Sequence, residues 1–178
     1  MRPSHDVDEH CTRQRRGLGA LVMRVPTWAS AGVGVVIGIV IAGCASAPKP
    51  TIVSVTLQAS ATVNPDVRKR ASPLVIRVYE LKSGAAFQAA DFVSLYERDQ
   101  ATLAAEMGSR EEFVLRPGET KPWEKTVAPD TKFIGVMAAF RDIEHARWKT
   151  LVPVKASVKN VITIQASDIA VSATAVAP

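Results

Sequence analysis

Residues 51–59 read TIVSVTLQA, and apolar side chains alternate with polar ones along most of this stretch. Val53, Val55 and Leu57 would point to one face, while Ser54 and Thr56 would point to the other. A period of two is typical of a β-strand with one face in a core. The stretch therefore predicts a strand at the start of a β-rich domain.

Similar patterns recur to the end of the chain and predict a protein that is mainly β. The expected strands after the first are residues 74–81, 112–115, 123–127, 133–140, 147–154, 161–166 and 169–173. Between the second and third strands, apolar residues recur every three or four positions over 87–107, with Asp91 and Asp99 placed as helix N-caps. Short strands at this spacing favour a two-sheet β-sandwich, here with a short helical insertion.

Residues 1–43 read as a lipoprotein signal peptide, with the lipobox Ile41-Ala42-Gly43-Cys44 at its cleavage site. Small residues at 42 and 43 suit a signal peptidase, and the Cys44 thiol can carry a diacylglycerol. Cleavage between Gly43 and Cys44 would remove residues 1–43, leaving residues 44–50 as a lipidated tether and 51–178 as the sandwich domain. Two or three acyl chains are needed for stable anchoring, since each buried methylene contributes about 0.8 kcal/mol.

Two alternatives concern this leader. No charged residue lies between Arg24 and Lys49, so a transmembrane helix also fits the apolar run. Its short, Gly-containing core ends at Cys44, which favours a signal peptide. Residues before Met23 would make an unusually long n-region, so translation starting at Met23 is the second alternative.

Charge and cysteine content limit the functions of the mature chain. The whole chain has 22 basic and 17 acidic residues, but five of the basic and three of the acidic ones precede Cys44, which leaves a formal charge of +3. This small excess gives no support for nucleic-acid binding. Cys44 would be the one cysteine left, so no intramolecular disulfide is expected.

Catalytic and metal-binding patterns are missing from the mature sequence. His145 is its single histidine, too few for a zinc site without cysteine ligands. It contains no Gly-x-Ser-x-Gly elbow, Gly-rich phosphate loop or dinucleotide fingerprint. We therefore predict a protein with no enzymatic activity, no metal and no cofactor.

The segment between the first two strands is the strongest candidate for a binding site. It contains Asn64, Pro65 and Asp66, followed by the basic triplet Arg68-Lys69-Arg70. A charge run alone is usually a solvated surface, but long loops in small domains often carry function. Trp123 and Trp148 lie in strand patterns, so we expect them to serve packing.

The mature chain contains a series of ordered motifs: residues 63–66 (VNPD), 72–82 (SPLVIRVYELK), 87–96 (FQAADFVSLY), 115–119 (LRPGE), 134–142 (IGVMAAFRD) and Trp148. In this order they resemble the type VI secretion lipoprotein family called TssJ or SciN.

This resemblance implies a transthyretin-like β-sandwich anchored in the outer membrane and facing the periplasm. It also implies a partner, the periplasmic C-terminal domain of the inner-membrane protein TssM, within a multi-copy secretion membrane complex. In the family, the loop between the first two strands contributes to that contact. Mapped here, the contact residues would be Asn64, Pro65, Asp66, Arg68, Lys69 and Arg70. Ala45 is not the Asp that favours inner-membrane retention, which agrees with outer-membrane sorting.

Two other functions remain open at this point. A transthyretin-like hydrolase would need several active-site histidines, and only His145 follows Cys44. A lipoprotein that binds a small ligand or another envelope protein is also compatible with the fold, because a sandwich does not dictate what it binds.

Overall fold

A computed structural model of the chain describes residues 49–176, so Gly43, Cys44 and the predicted signal peptide lie outside it. The described part forms the following eight strands: β1 (Thr51–Ala59), β2 (Leu74–Leu81), β3 (Met107–Leu115), β4 (Thr120–Val127), β5 (Phe133–Ala139), β6 (Lys149–Pro153), β7 (Lys159–Ser167) and β8 (Ala170–Val176). Helices α1 (Ala85–Ala89) and α2 (Phe92–Leu103) and a 3-10 turn at Ala104–Glu106 lie between β2 and β3. The predicted mainly β fold with a helical insertion is confirmed.

The strands form two four-stranded sheets, as predicted. One sheet has the order β4-β1-β7-β8 and the other β3-β2-β5-β6. Strand β1 is antiparallel to β4 and parallel to β7, whereas all pairs in the second sheet are antiparallel. The alternate residues Val53, Val55 and Leu57 are buried between the sheets, as the period of two requires.

The outer face of the second sheet is covered by the helices. Tyr79 and Leu81 on β2 pack there with Phe87 of α1 and with Leu95 and Leu103 of α2. Strand β2 is therefore buried on both faces. No helix within residues 49–176 is long and apolar enough to cross a bilayer.

Trp123 of β4 and Trp148, directly before β6, both serve packing, as predicted. Trp123 packs against the core and meets the Phe113 ring edge-on, with 5.9 Å between ring centroids. Trp148 contacts both the inter-sheet core and the helix-covered cluster, and its ring lies edge-on to Phe92 at 5.4 Å.

The two predicted helix caps differ in outcome. Asp91 is the N-cap of α2, where its Oδ1 accepts a hydrogen bond from Ser94 N at 2.9 Å. Asp99 directly follows a kink at Arg98, where the backbone leaves helical geometry and divides α2 into two helical pieces, and its side chain is buried.

Candidate functional site

The predicted contact residues lie in the β1–β2 loop, residues 60–73, at one end of the sandwich. Gly118 N in the β3–β4 turn donates to Ser60 O at 3.1 Å, and Asn64 N donates to Asp168 O of the β7–β8 turn at 2.8 Å. Arg141, after β5, also contacts this loop through its backbone. We call this end, where four connections meet, the loop end.

Asn64 fixes the base of the loop. It is 4% exposed and has φ +52°, a left-handed conformation that Asn adopts more readily than most residues. Its Nδ2 donates to Pro73 O at 2.8 Å, and its Oδ1 accepts from Arg141 N at 2.9 Å. Because the Asn64 side chain is buried and hydrogen-bonded within the domain, its role is to position the loop. Its contact with a partner stays a prediction.

Asp66 organises the tip of the loop. Its Oδ1 accepts hydrogen bonds from Arg68 N at 2.8 Å and Arg70 N at 2.9 Å, and its Oδ2 accepts from Arg70 Nε at 2.8 Å. Lys69 N also donates to the Asp66 carbonyl at 2.9 Å. The pKa of the Asp66 carboxyl lies below its ordinary value, chiefly because of the Arg70 backbone N–H and then its side chain. The tip is a turn with a fixed backbone.

The surface of the tip is both basic and apolar. Arg68, Lys69 and Arg70 are exposed, and Val67 beside them is completely exposed. Lys69 has φ +64°, which places it at the corner of the turn. Val67 was not among the predicted contact residues, although an apolar residue inside a polar loop was an available signal.

A groove of about 750 Å³ borders the loop, and acidic and basic residues alternate around it. Its lining is Thr62, Pro65, Asp66, Val67, Lys69, Arg141, Asp142, Asp168 and Ile169. Thr62 donates a hydrogen bond to Asp168, which joins the β1–β2 loop to the β7–β8 turn. The predicted residues Pro65, Asp66 and Lys69 therefore share one surface with residues from two other connections.

His145 lies on the connection between β5 and β6. Its exposed ring contacts Asp142 through Nδ1 at 2.8 Å, and this hydrogen bond raises the pKa of His145 while lowering that of Asp142. Within residues 49–176, no group of three or more His, Cys, Asp or Glu side chains is arranged to hold a metal ion.

Comparisons with known proteins identify similar sequences and folds. The family model described as type VI secretion lipoprotein (VasD, EvfM, TssJ) matches residues 51–168. The crystal structure of the T6SS lipoprotein TssJ1 from Pseudomonas aeruginosa has 34% identity and a TM-score of 0.70, covering 72% of this chain and 98% of that chain. Lip from Serratia marcescens, a membrane-bound component of the type VI secretion system, has 26% identity and a TM-score of 0.66, covering 70% and 98%.

A third match has lower identity and is informative about the fold alone. It is a chain in the structure of the TssM C-terminal domain from EAEC, with 19% identity and a TM-score of 0.59, covering 71% of this chain and 99% of that chain. No curated protein matches the sequence.

Proposed function

Since the chain belongs to the type VI secretion lipoprotein family, we propose that it anchors a type VI secretion membrane complex in the outer membrane by binding the periplasmic domain of TssM. Residues 1–43 are then removed, and lipid on Cys44 attaches the protein through the tether 44–50. The role is structural: the matched family consists of lipoproteins of the secretion machinery, and the proposal assigns no catalytic step.

The observation that carries the partner proposal is the fixed, protruding tip of the β1–β2 loop. Association costs less when the binding loop is already ordered, because less conformational entropy is lost. The Asp66 hydrogen bonds fix the backbone of residues 66–70 and leave Val67 and Arg68 facing solvent. An exposed apolar side chain next to charged ones is a suitable contact for another protein.

Several anchored copies would strengthen a modest contact. Attachment to one membrane confines the protein to a thin layer, and linked copies in one complex bind with avidity beyond that of a single site. Membership of the type VI secretion lipoprotein family supports this choice of partner.

Calorimetry with the soluble domain, residues 46–178, and the purified periplasmic domain of TssM from the same genome tests the proposal. We expect saturable binding and a Kd raised about tenfold, or about 1.4 kcal/mol, by Arg68→Glu. Arg68 is suited to charge reversal because its side chain forms no ion pair among the described residues, whereas Arg70 pairs with Asp66 at 2.7 Å.

Lys155→Glu is the matched control, since Lys155 is an exposed cation in the connection between β6 and β7, at the opposite end of the sandwich. It should leave the Kd unchanged. Equal weakening by the two variants would contradict a contact through the β1–β2 loop, and no binding by the unmodified domain at high micromolar concentration would contradict TssM as the partner.

A further inference from the structure

The end of the sandwich opposite the loop end is where β1 begins, and we call it the tether end. Ser157 N donates to Thr51 Oγ1 at 2.8 Å, and Ile52 N donates to Val158 O at 3.1 Å. Val154 N donates to Lys132 O at 2.8 Å. These hydrogen bonds place the connections 128–132 and 154–158 beside the first residues of β1.

Lysines are concentrated at the tether end, and part of their charge is not neutralised. Lys82 pairs with Asp130 at 2.9 Å, and Lys159 pairs with Glu124 at 2.7 Å. Three more lysines at this end are exposed and form no ion pair with any residue between 49 and 176, namely Lys49, Lys132 and Lys155.

The loop end differs in its charge pattern. There the cations alternate with acids: Arg70 pairs with Asp66, and His145 contacts Asp142. Lys69 and Arg141 border a groove that also contains Asp168. Arg68, Lys69 and Arg116 of the loop end are also exposed and form no ion pair among the described residues, but acids lie beside the cations there. The tether end is distinguished mainly by its nearness to Cys44 along the chain.

The length of the tether limits how far this end can lie from the lipid. Residues 45–50 separate Cys44 from Thr51, and a fully extended chain of that length spans at most about 25 Å. Strand β1, with nine residues, spans about 30 Å. With lipid on Cys44, Lys49 and the tether end stay within about 25 Å of the lipid attachment, while the loop end can lie much farther away.

We propose that the lysines of the tether end bind anionic lipid headgroups of the membrane that holds Cys44, and that this contact orients the loop end away from the bilayer. The proposal rests on the lipid anchor of the proposed function. Lysine ammonium groups are attracted to anionic lipid surfaces, and the attraction falls off within a Debye length of about 8 Å at physiological salt. The tether is short enough for the lysines to reach that field, and the attraction would then hold them there.

Fluorescence quenching on vesicles tests the orientation. The acylated chain already has its Cys44 sulfur in the lipid bond, so Ala156→Cys at the tether end and Ala61→Cys at the loop end each supply one thiol for a neutral fluorophore; both alanines are exposed. Vesicles of phosphatidylcholine, alone or mixed with phosphatidylglycerol, carry a headgroup quencher. We expect quenching at position 156 to rise about threefold on the anionic vesicles and to return to the neutral value at high salt, with little change at position 61.

Two charge-matched double variants locate the effect. Lys132→Gln with Lys155→Gln should remove the rise at position 156. Arg116→Gln with Lys121→Gln removes the same charge near the loop end, from two exposed residues, and should preserve the rise. Equal quenching of position 156 on both kinds of vesicle would overturn the proposal, and so would an equal loss of the rise in both double variants.

Failure of this inference is separable from failure of the proposed function. The mass of the purified chain shows whether Cys44 is acylated, and an unacylated chain would contradict the anchor itself. An acylated chain with unchanged quenching would contradict only the headgroup contact. The variant with Lys132→Gln and Lys155→Gln should still bind TssM with unchanged Kd, because both residues lie away from the loop end.

Discussion

Asn64 connects three parts of the backbone, and this explains how a loop of polar residues can have one conformation. Its amide group bonds to Pro73 O and Arg141 N, and its own N–H bonds to Asp168 O. A buried amide whose oxygen and nitrogen both have partners is costly to remove, because those partners would remain unsatisfied. We therefore expect the side chains of residues 66–70 to contact a partner, and Asn64 to hold that part of the loop in position.

His145 is the residue whose charge responds most directly to pH near neutrality. Its pKa is raised, mainly by the hydrogen bond to Asp142, from an ordinary value of about 6.5. A raised pKa in the folded state stabilises the fold fully at pH values below the unfolded pKa, and this contribution is lost as pH rises through the folded pKa.

Titration of the His145 ring by NMR checks this prediction. The soluble domain, residues 46–178, contains no other histidine, so the assignment is unambiguous. Asp142→Asn should return the pKa towards its ordinary value, whereas Glu144→Gln, which removes a weaker coulombic contribution, should lower it less. If the two variants shifted the pKa equally, the specific Asp142 hydrogen bond would not be its main cause.

At the scale of elements, α2 is attached to the outer face of its sheet by buried charge as well as by apolar packing. Asp99 Oδ2 accepts from Arg110 Nη1 of β3 at 2.5 Å and from the Tyr79 hydroxyl of β2 at 3.2 Å. Arg77 lies 3.7 Å from the same oxygen and donates to Tyr96 O at 2.6 Å. Burial raises the pKa of Tyr79 to about 12, so its hydroxyl remains a donor at neutral pH.

Asp99→Asn should destabilise the domain by about 2 kcal/mol, because two guanidinium groups lose their shared carboxylate. Tyr79→Phe removes one hydrogen bond from a neutral donor to the same carboxylate oxygen and should cost less, about 1.5 kcal/mol. Urea unfolding followed by far-UV circular dichroism measures both variants. An Asp99→Asn loss no greater than that of Tyr79→Phe would show that the charge of the carboxylate adds nothing to the attachment of α2.

The sequence was most informative where one face of a strand is apolar, and least where polar residues have structural roles. Strand β3 was expected from residue 112 but begins at Met107. Its early residues contact charged partners: Ser109 Oγ donates to Glu80 at 2.6 Å, and Arg110 donates to Asp99. A search for apolar alternation cannot detect such contacts. Strand β4 also begins before the predicted residue 123 and contains Pro122, which is tolerated because β4 is an edge strand.

For the whole molecule, the family resemblance stated from the motifs is confirmed by the match over residues 51–168 and by the 34% identity to TssJ1 from Pseudomonas aeruginosa. What the motifs could not supply is the position of each side chain at the two ends. Asn64 and Arg68 occur in one loop, yet one is buried and the other exposed. That difference depends on Pro73, Arg141 and the β7–β8 turn, which are distant in sequence.

The sandwich is closed differently along its two open sides. On one side, backbone hydrogen bonds between Arg147 and β8 connect the sheets: Arg147 N donates to Ile169 O at 2.9 Å, and Val171 N donates to Arg147 O at 2.8 Å. On the other side, β3 and β4 belong to different sheets, and side chains close the gap. Lys125 of β4 pairs there with Glu80 of β2 at 2.8 Å.

Lys125→Met should destabilise the whole domain by about 3 kcal/mol, because it leaves the Glu80 carboxylate buried between the sheets without its cation. The Glu80 side chain is 6% exposed, against 31% for Lys125. Adding Glu80→Gln to this variant removes the uncompensated charge and should recover most of the loss.

The matched control is Lys159→Met, which removes an exposed pair with Glu124 in the same sheet and should cost less than about 1 kcal/mol. Equal urea midpoints for the two lysine variants would contradict a role of the Glu80–Lys125 pair in joining the sheets. Recovery in the double variant would show that the loss comes from the buried charge and not from the altered shape of residue 125.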